Sequence, residues 1–221
     1  MNQHSFKHLC QLTLTGGSER VLNNLITSEL SKITATPQWT AFCNAKGQVI
    51  TTSWLSKIES AYTLTCHETL TDILINHIQR HALRHQFTVK IHESLALPKS
   101  FSTIEDAIQQ GYPIIAIELS EQFIPQMLGM QHHPDAINFE KGCYLGQEIV
   151  MRAEQLGQVK RTLNKGSIHQ LPSEQDILNE QGKLSGKLIN ASNQAPYTFN
   201  MVTKNHEEAL YLDGKKIELL S

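Results

Sequence analysis

A chain of 221 residues is long enough to bury a sizeable core, as one large domain or as two to three small ones. Apolar residues at 40% and charged residues at 18% exclude a disordered polymer and point to a globular protein. A formal charge of −2, from 19 basic and 21 acidic residues mixed along the chain, supplies no basic face for phosphate backbones, so no direct nucleic-acid contact is expected.

In chain order, His8 to Leu14 alternates Leu9, Gln11 and Thr13 with Cys10, Leu12 and Leu14, which predicts a strand with one buried face. Gly16-Gly17-Ser18 follows as a turn, with Ser18 as the expected N-cap of a helix from about Glu19 to Lys32. Leu22, Leu25, Ile26, Leu30 and Ile33 set its apolar stripe. Gln38 to Ala45 and Gly47 to Leu55 read as a hairpin turning at Asn44-Ala45-Lys46-Gly47. A strand from Ala61 to Cys66 leads to a helix carrying Leu70, Ile73, Leu74, Ile78 and Ala82. Phe87 to Ile91 is a further strand, and Leu95 to Ser100 a loop. Ser102 and Glu105 form a capping box for a short helix stopping at Gly111, and Tyr112 to Glu118 reads as an apolar strand. Leu145, Ile149, Ala153 and Leu156 predict a helix beginning just after Cys143. From about Gln158 onward only short β-like runs remain, separated by Gly, Asn and Pro. The pattern predicts an α+β region over 1–157, with a subdomain split near 55–90, and a small β-barrel lobe over 158–221.

No apolar run at the N-terminus suits a signal peptide, and none elsewhere reaches a membrane span. Cysteines 10, 43, 66 and 143 are far apart and lack a Cys-x-x-Cys, so reduced thiols in a cytoplasmic protein are expected, without a disulfide framework or a metal. His67, His77, His81, His85 and His92 show no recognised metal spacing and are expected to be solvated. The strongest candidate is Cys143. A following helix N-terminus and the neighbouring Lys141 both favour a thiolate there. Gly142 lets the backbone turn tightly or lets a ligand approach. Gln147 and Glu148 fall in the first helical turn, able to reach the loop or a bound molecule. The competing account is a small buried packing residue, and residue chemistry alone favours it. The only bases in sight are His132 and His133 upstream. Lys46 reads as a solvated turn lysine, and Gly16-Gly17-Ser18 as a plain strand-to-helix turn rather than an anion site.

Lys141-Gly142-Cys143-Tyr144-Leu145-Gly146-Gln147-Glu148 resembles the signature of the YgfZ family, Lys-Gly-Cys-Tyr-x-Gly-Gln-Glu. The likeness extends outward through Phe123-Ile124-Pro125-Gln126 and Phe139 to Arg152, Gly157, Lys160 and Arg161. Leu14-Thr15-Gly16 and Asn44-Ala45-Lys46-Gly47 resemble the family's N-terminal elements. The chain is shorter than the usual bacterial members, with the difference falling between residues 86 and 111.

That resemblance implies a fold like the glycine cleavage T-protein, a folate-binding α+β region followed by a β-barrel lobe. It implies tetrahydrofolate as cofactor, with Gln126, Tyr144, Gln147 and Glu148 as contacts. It implies partners among iron–sulfur enzymes or their assembly factors, with an indirect effect on tRNA thiomethylation. Cys143 would supply a thiolate that Lys141 stabilises, and Arg152 would pair with Glu148 at i, i+4. Two alternatives stay open: a tetrahydrofolate-dependent one-carbon transferase, and a folate-free scaffold.

Overall fold

Strand β1 (Leu9–Gly16) buries Leu12 and Leu14 between two antiparallel neighbours. Leu12 stands opposite Leu64 on one side and Ile91 on the other, which sets the register of the first sheet. The computed structural model describes residues 8–82, 86–92, 104–157, 159–204 and 209–220. The expected loop over 95–100, and Ser102 of the capping box, lie outside these residues.

Around β1 stand β2 (Gln38–Cys43), β3 (Val49–Ile58), β4 (Ala61–His67) and β5 (Phe87–His92), in the order β2-β3-β4-β1-β5. Helix α1 (Ser18–Asn23) and helix α2 (Thr71–His81) cover one face, where Val21, Leu22, Leu74 and Ile78 meet Leu12, Leu14, Leu55 and Leu64. The opposite face of β2 and β3 is also buried, so Trp39, Ala41, Val49 and Trp54 enter a second cluster with Ile114, Ile115, Leu128 and Met130. Burial on both faces explains why these two strands read as nearly continuous apolar and small polar runs.

Two expected elements are different. The helix over 19–32 ends at Asn23. Beyond it, Thr27 and Ser28 turn their hydroxyls to tertiary partners: Thr27 Oγ1 donates to Ala136 O at 2.7 Å and accepts from Ala41 N at 3.0 Å, and Ser28 Oγ donates to Thr40 Oγ1. Such bonds compete with the helical ladder, so Leu25 and Ile26 are buried from irregular chain and Leu30 from a short 3-10 turn, Leu30–Lys32. Nor does Ser18 cap α1; Gly17 precedes the helix without a side-chain cap, and Ser18 Oγ donates to Gly16 O. The second difference is Tyr112–Glu118, which joins no sheet. Pro113 lacks an N–H, and its neighbours bond to side chains instead. Thr52 Oγ1 donates to Pro113 O, Ile115 N donates to Thr52 Oγ1, and Ile114 N donates to Asn190 Oδ1.

After α3 (Ile104–Gln109) and short 3-10 turns over Pro125–Leu128 and Met130–His132, α4 (Gln147–Leu156) leads to the second sheet. Its strands are β6 (Arg161–Ile168), β7 (Asp176–Asn179), β8 (Leu184–Ala191), β9 (Tyr197–Lys204), β10 (Leu210–Leu212), β11 (Lys215–Lys216) and β12 (Glu218–Leu220). They run antiparallel in the order β11-β10-β7-β8-β9-β6-β12 and curl around Ile177, Leu188, Phe199, Met201 and Leu212, forming the barrel-like lobe. Ile189 and Val202 point the other way, into the cluster around Trp39 and Ile114. No described helix is long and apolar enough to cross a membrane.

Candidate functional site

Residues 138–147 form a loop stitched to the chain that follows α1. Asn138 N donates to Thr27 O at 2.9 Å, and Leu145 N donates to Asn24 O at 2.9 Å. Between them Lys141 is buried, and its ammonium donates to Asn23 O at 2.6 Å, Ser28 O at 2.8 Å and Ile26 O at 3.1 Å. All three protons of the ammonium are thereby directed at carbonyls, with the Tyr144 ring centroid 5.3 Å away. Burial pushes the Lys141 ammonium down to about 8, opposed by the nearby Glu29 carboxylate. Lys141 is thus a clamp that fixes the loop. The expectation that its charge stands against the Cys143 thiol meets a side chain already fully bonded elsewhere.

The other side of the loop packs on the β2–β3 turn. Gly146 has φ +81°, and a Cβ there would stand 2.4 Å from Asn44 O. Gly47 returns the contact, since its own Cβ would meet Gly146 O at 3.0 Å and Ile149 Cβ at 2.9 Å. Asn44 Oδ1 holds that turn by accepting from Lys46 N and Gln48 N at 2.9 and 3.0 Å. The two motifs that stand a hundred residues apart in sequence are therefore one packed unit. Gly142 is different: it is exposed, lacks a positive φ, and would admit a Cβ with nothing within 4 Å. No tight turn requires that glycine.

Cys143 is the one exposed thiol among the four free cysteines; Cys43 and Cys66 are buried, and burial pushes both up to about 12. The packing account of Cys143 is therefore set aside. The helix expected just behind it starts four residues later, at Gln147, with Gly146 before it, and the field of a helix end fades within a turn. Of the apolar stripe expected there, Ile149 and Leu156 are exposed, and Val150 is the buried residue of α4. Cys143 instead opens onto a groove of ≈ 290 Å³ lined by Arg20, Val21, Leu25, His81 and Tyr144 among others.

Gln147 Nε2 donates to Lys141 O at 3.2 Å, so it orders the loop. Gln126 is buried and donates to Val150 O at 2.7 Å, bracing α4. Burial and the neighbouring Cys43 raise the Tyr144 phenol well above the usual range, and its hydroxyl has no partner among the described residues. Glu148 and Arg152 are both exposed, and no ion pair joins them among the described residues. Of Gln126, Tyr144, Gln147 and Glu148, it is Tyr144 that lines the groove at Cys143. His133 does not fold back to the thiol; its Nε2 bonds Gly111 O, and its ring packs on Trp39 and Tyr112.

Sequence reasoning missed Arg20 and His81 in the groove, and the carbonyls that hold Lys141. No periodicity marks them, because they reach the site from α1, α2 and irregular chain through tertiary packing alone.

No family model matches the chain. It is 36% identical over 123 residues to the tRNA-modifying protein YgfZ of Serratia proteamaculans, covering 53% of this chain and 37% of that protein. It is 44% identical over 75 residues to the YgfZ of Colwellia psychrerythraea, covering 33% of this chain and 23% of that one. The chain thus spans well under half the length of these curated relatives. Among solved structures it resembles the glycine cleavage system aminomethyltransferase T of Bartonella henselae, with TM-score 0.70 at 9% identity over 97% of this chain and 83% of that chain. At that identity the likeness establishes the fold.

Proposed function

We infer that the chain is a member of the YgfZ family and a folate-binding accessory factor for the assembly or repair of iron–sulfur enzymes. Its effect on tRNA is indirect, through an iron–sulfur enzyme that thiomethylates tRNA. The observation that carries this reading is the exposed Cys143, held on a loop whose clamp, Lys141, and packing partner, Gly146, belong to the same signature. A thiol so presented is chemistry-bearing rather than core, and free thiols suit the reducing cytoplasm.

For the folate itself, the best-suited groups lie where the two sheets meet. Among the described residues Trp39 Nε1, Asn190 Nδ2 and both amide atoms of Asn200 are buried without partners, and buried polar atoms left unpaired call for a ligand or water. Asn190 and Asn200 face each other across β8 and β9, and Trp39 packs edge-on against Tyr112 at 5.1 Å. Amides beside aromatic rings fit a pterin, a flat ring carrying alternating donors and acceptors, so Trp39, Asn190 and Asn200 would hold it. A reduced folate, when bound, supplies a carrier for one-carbon units.

The function is tested by complementation. A strain lacking the gene should lose iron–sulfur enzyme activity under oxidative stress, and the wild-type chain should restore it while Cys143→Ala does not. Full restoration by the alanine variant would remove the thiol from the function.

A further inference from the structure

The groove at Cys143 contains two other chemistry-bearing side chains, each brought from a different helix. Arg20, exposed on α1, makes no hydrogen bond or ion pair among the described residues. The two carboxylates that line a neighbouring groove with it are engaged elsewhere. Glu19 Oε1 accepts from Lys57 Nζ at 3.1 Å and from the Tyr62 hydroxyl at 2.7 Å. Glu29, across a neighbouring groove that Arg20 also lines, accepts from Ser31 N and Oγ. A guanidinium left unpaired beside a groove offers a planar fork that matches a carboxylate.

His81 closes α2. Its Nδ1 lies 2.8 Å from His77 O, and a carbonyl can only accept, so Nδ1 carries the proton. In that tautomer Nε2 is the nitrogen with the lone pair, the arrangement of a proton acceptor.

We propose that this groove binds a small carboxylate-bearing electrophile: Arg20 holds the carboxylate, Cys143 attacks the reactive centre, and His81 Nε2 accepts the thiol proton. The new bond joins Cys143 Sγ to the electrophilic atom, the bond to the leaving group breaks, and that group departs with the electron pair. No external oxidant or reductant enters. The proposal rests on Cys143 as the reacting group and is independent of folate.

Iodoacetate and iodoacetamide test it, since they are close in size and differ by one charge. Both form the same kind of S–C bond and release iodide. Rates at Cys143 are followed in the full chain by peptide mapping, which separates it from Cys10, Cys43 and Cys66. Arg20→Gln should lower the iodoacetate-to-iodoacetamide rate ratio about fivefold, the order expected of one exposed unit charge. In the unaltered protein the same ratio should fall as salt is raised, because screening weakens that attraction. His81→Gln should slow both reagents together and leave the ratio unchanged. A ratio indifferent to both Arg20→Gln and salt would overturn the proposal. That result would leave the complementation by Cys143 untouched, and a failed complementation would leave the ratio untouched, so the two readings fail separately.

Discussion

Lys141 shows how one side chain can be misjudged by its neighbours in sequence. Two residues from a cysteine, it reads as an electrostatic partner; in the fold its ammonium serves the carbonyls of Asn23, Ile26 and Ser28. Its folded value of about 8 lies below the ordinary 10.5. The folded chain therefore binds this proton less firmly than the unfolded chain does. Below about 8 the buried charge costs stability, and that cost is relieved as pH rises from 8 toward 10.5. Opening of the loop returns the amine to water and to its ordinary affinity for the proton, so over the same range the closed loop gains on the open one. Nuclear magnetic resonance of the Lys141 side chain should show titration near 8, and amide exchange at Leu145, corrected for the intrinsic rate, should slow above it. A titration at the ordinary lysine value would contradict the account of burial.

At the scale of elements, the contact between the β2–β3 turn and the start of α4 is the feature on which the site depends. It is made by glycines, because backbone approaches backbone there. Gly146→Ala combines a left-handed φ with a collision at Asn44 O, and should cost at least about 2 kcal/mol, lowering Tm by several degrees. Gly142→Ala meets no atom and no positive φ, and should leave Tm within about 2 °C of the parent. Thermal unfolding of the two variants side by side decides the matter; equal losses would show that the signature's glycines are not distinguished by packing. The turn and the loop were each visible as motifs, but nothing in their spacing said that they touch. The irregular chain over 24–29 was hidden for a related reason: its apolar period is helical, while Thr27 and Ser28 find better partners in β2 and at Ala136.

For the molecule as a whole, Ile189 and Val202 of the second sheet enter the same cluster as Trp39 and Trp54 of the first. The chain's two tryptophans therefore stand where the sheets meet, in one cluster with the strands that carry Asn190 and Asn200. Titration with tetrahydrofolate should change tryptophan fluorescence saturably, and Asn200→Leu should weaken that binding by about tenfold or more, the scale of a lost buried hydrogen bond. Absence of any saturable signal, in fluorescence and in calorimetry, would leave a folate-free scaffold as the reading of this fold.

The sequence by itself determined the five strands of the first sheet, the run of short β segments beyond residue 160, and the Lys141–Glu148 stretch as a contiguous motif. Those features are local: alternation, turn chemistry and a contiguous motif survive in a linear reading. The tertiary structure alone decided what Lys141 bonds, that Gly146 rests on Asn44, and that Arg20 and His81 share the groove of Cys143. It also decided that Tyr112–Glu118 is held by side chains rather than by a sheet. Each of these depends on which carbonyls, hydroxyls and backbone surfaces folding brings within hydrogen-bonding or van der Waals distance, and chain order does not encode that distance.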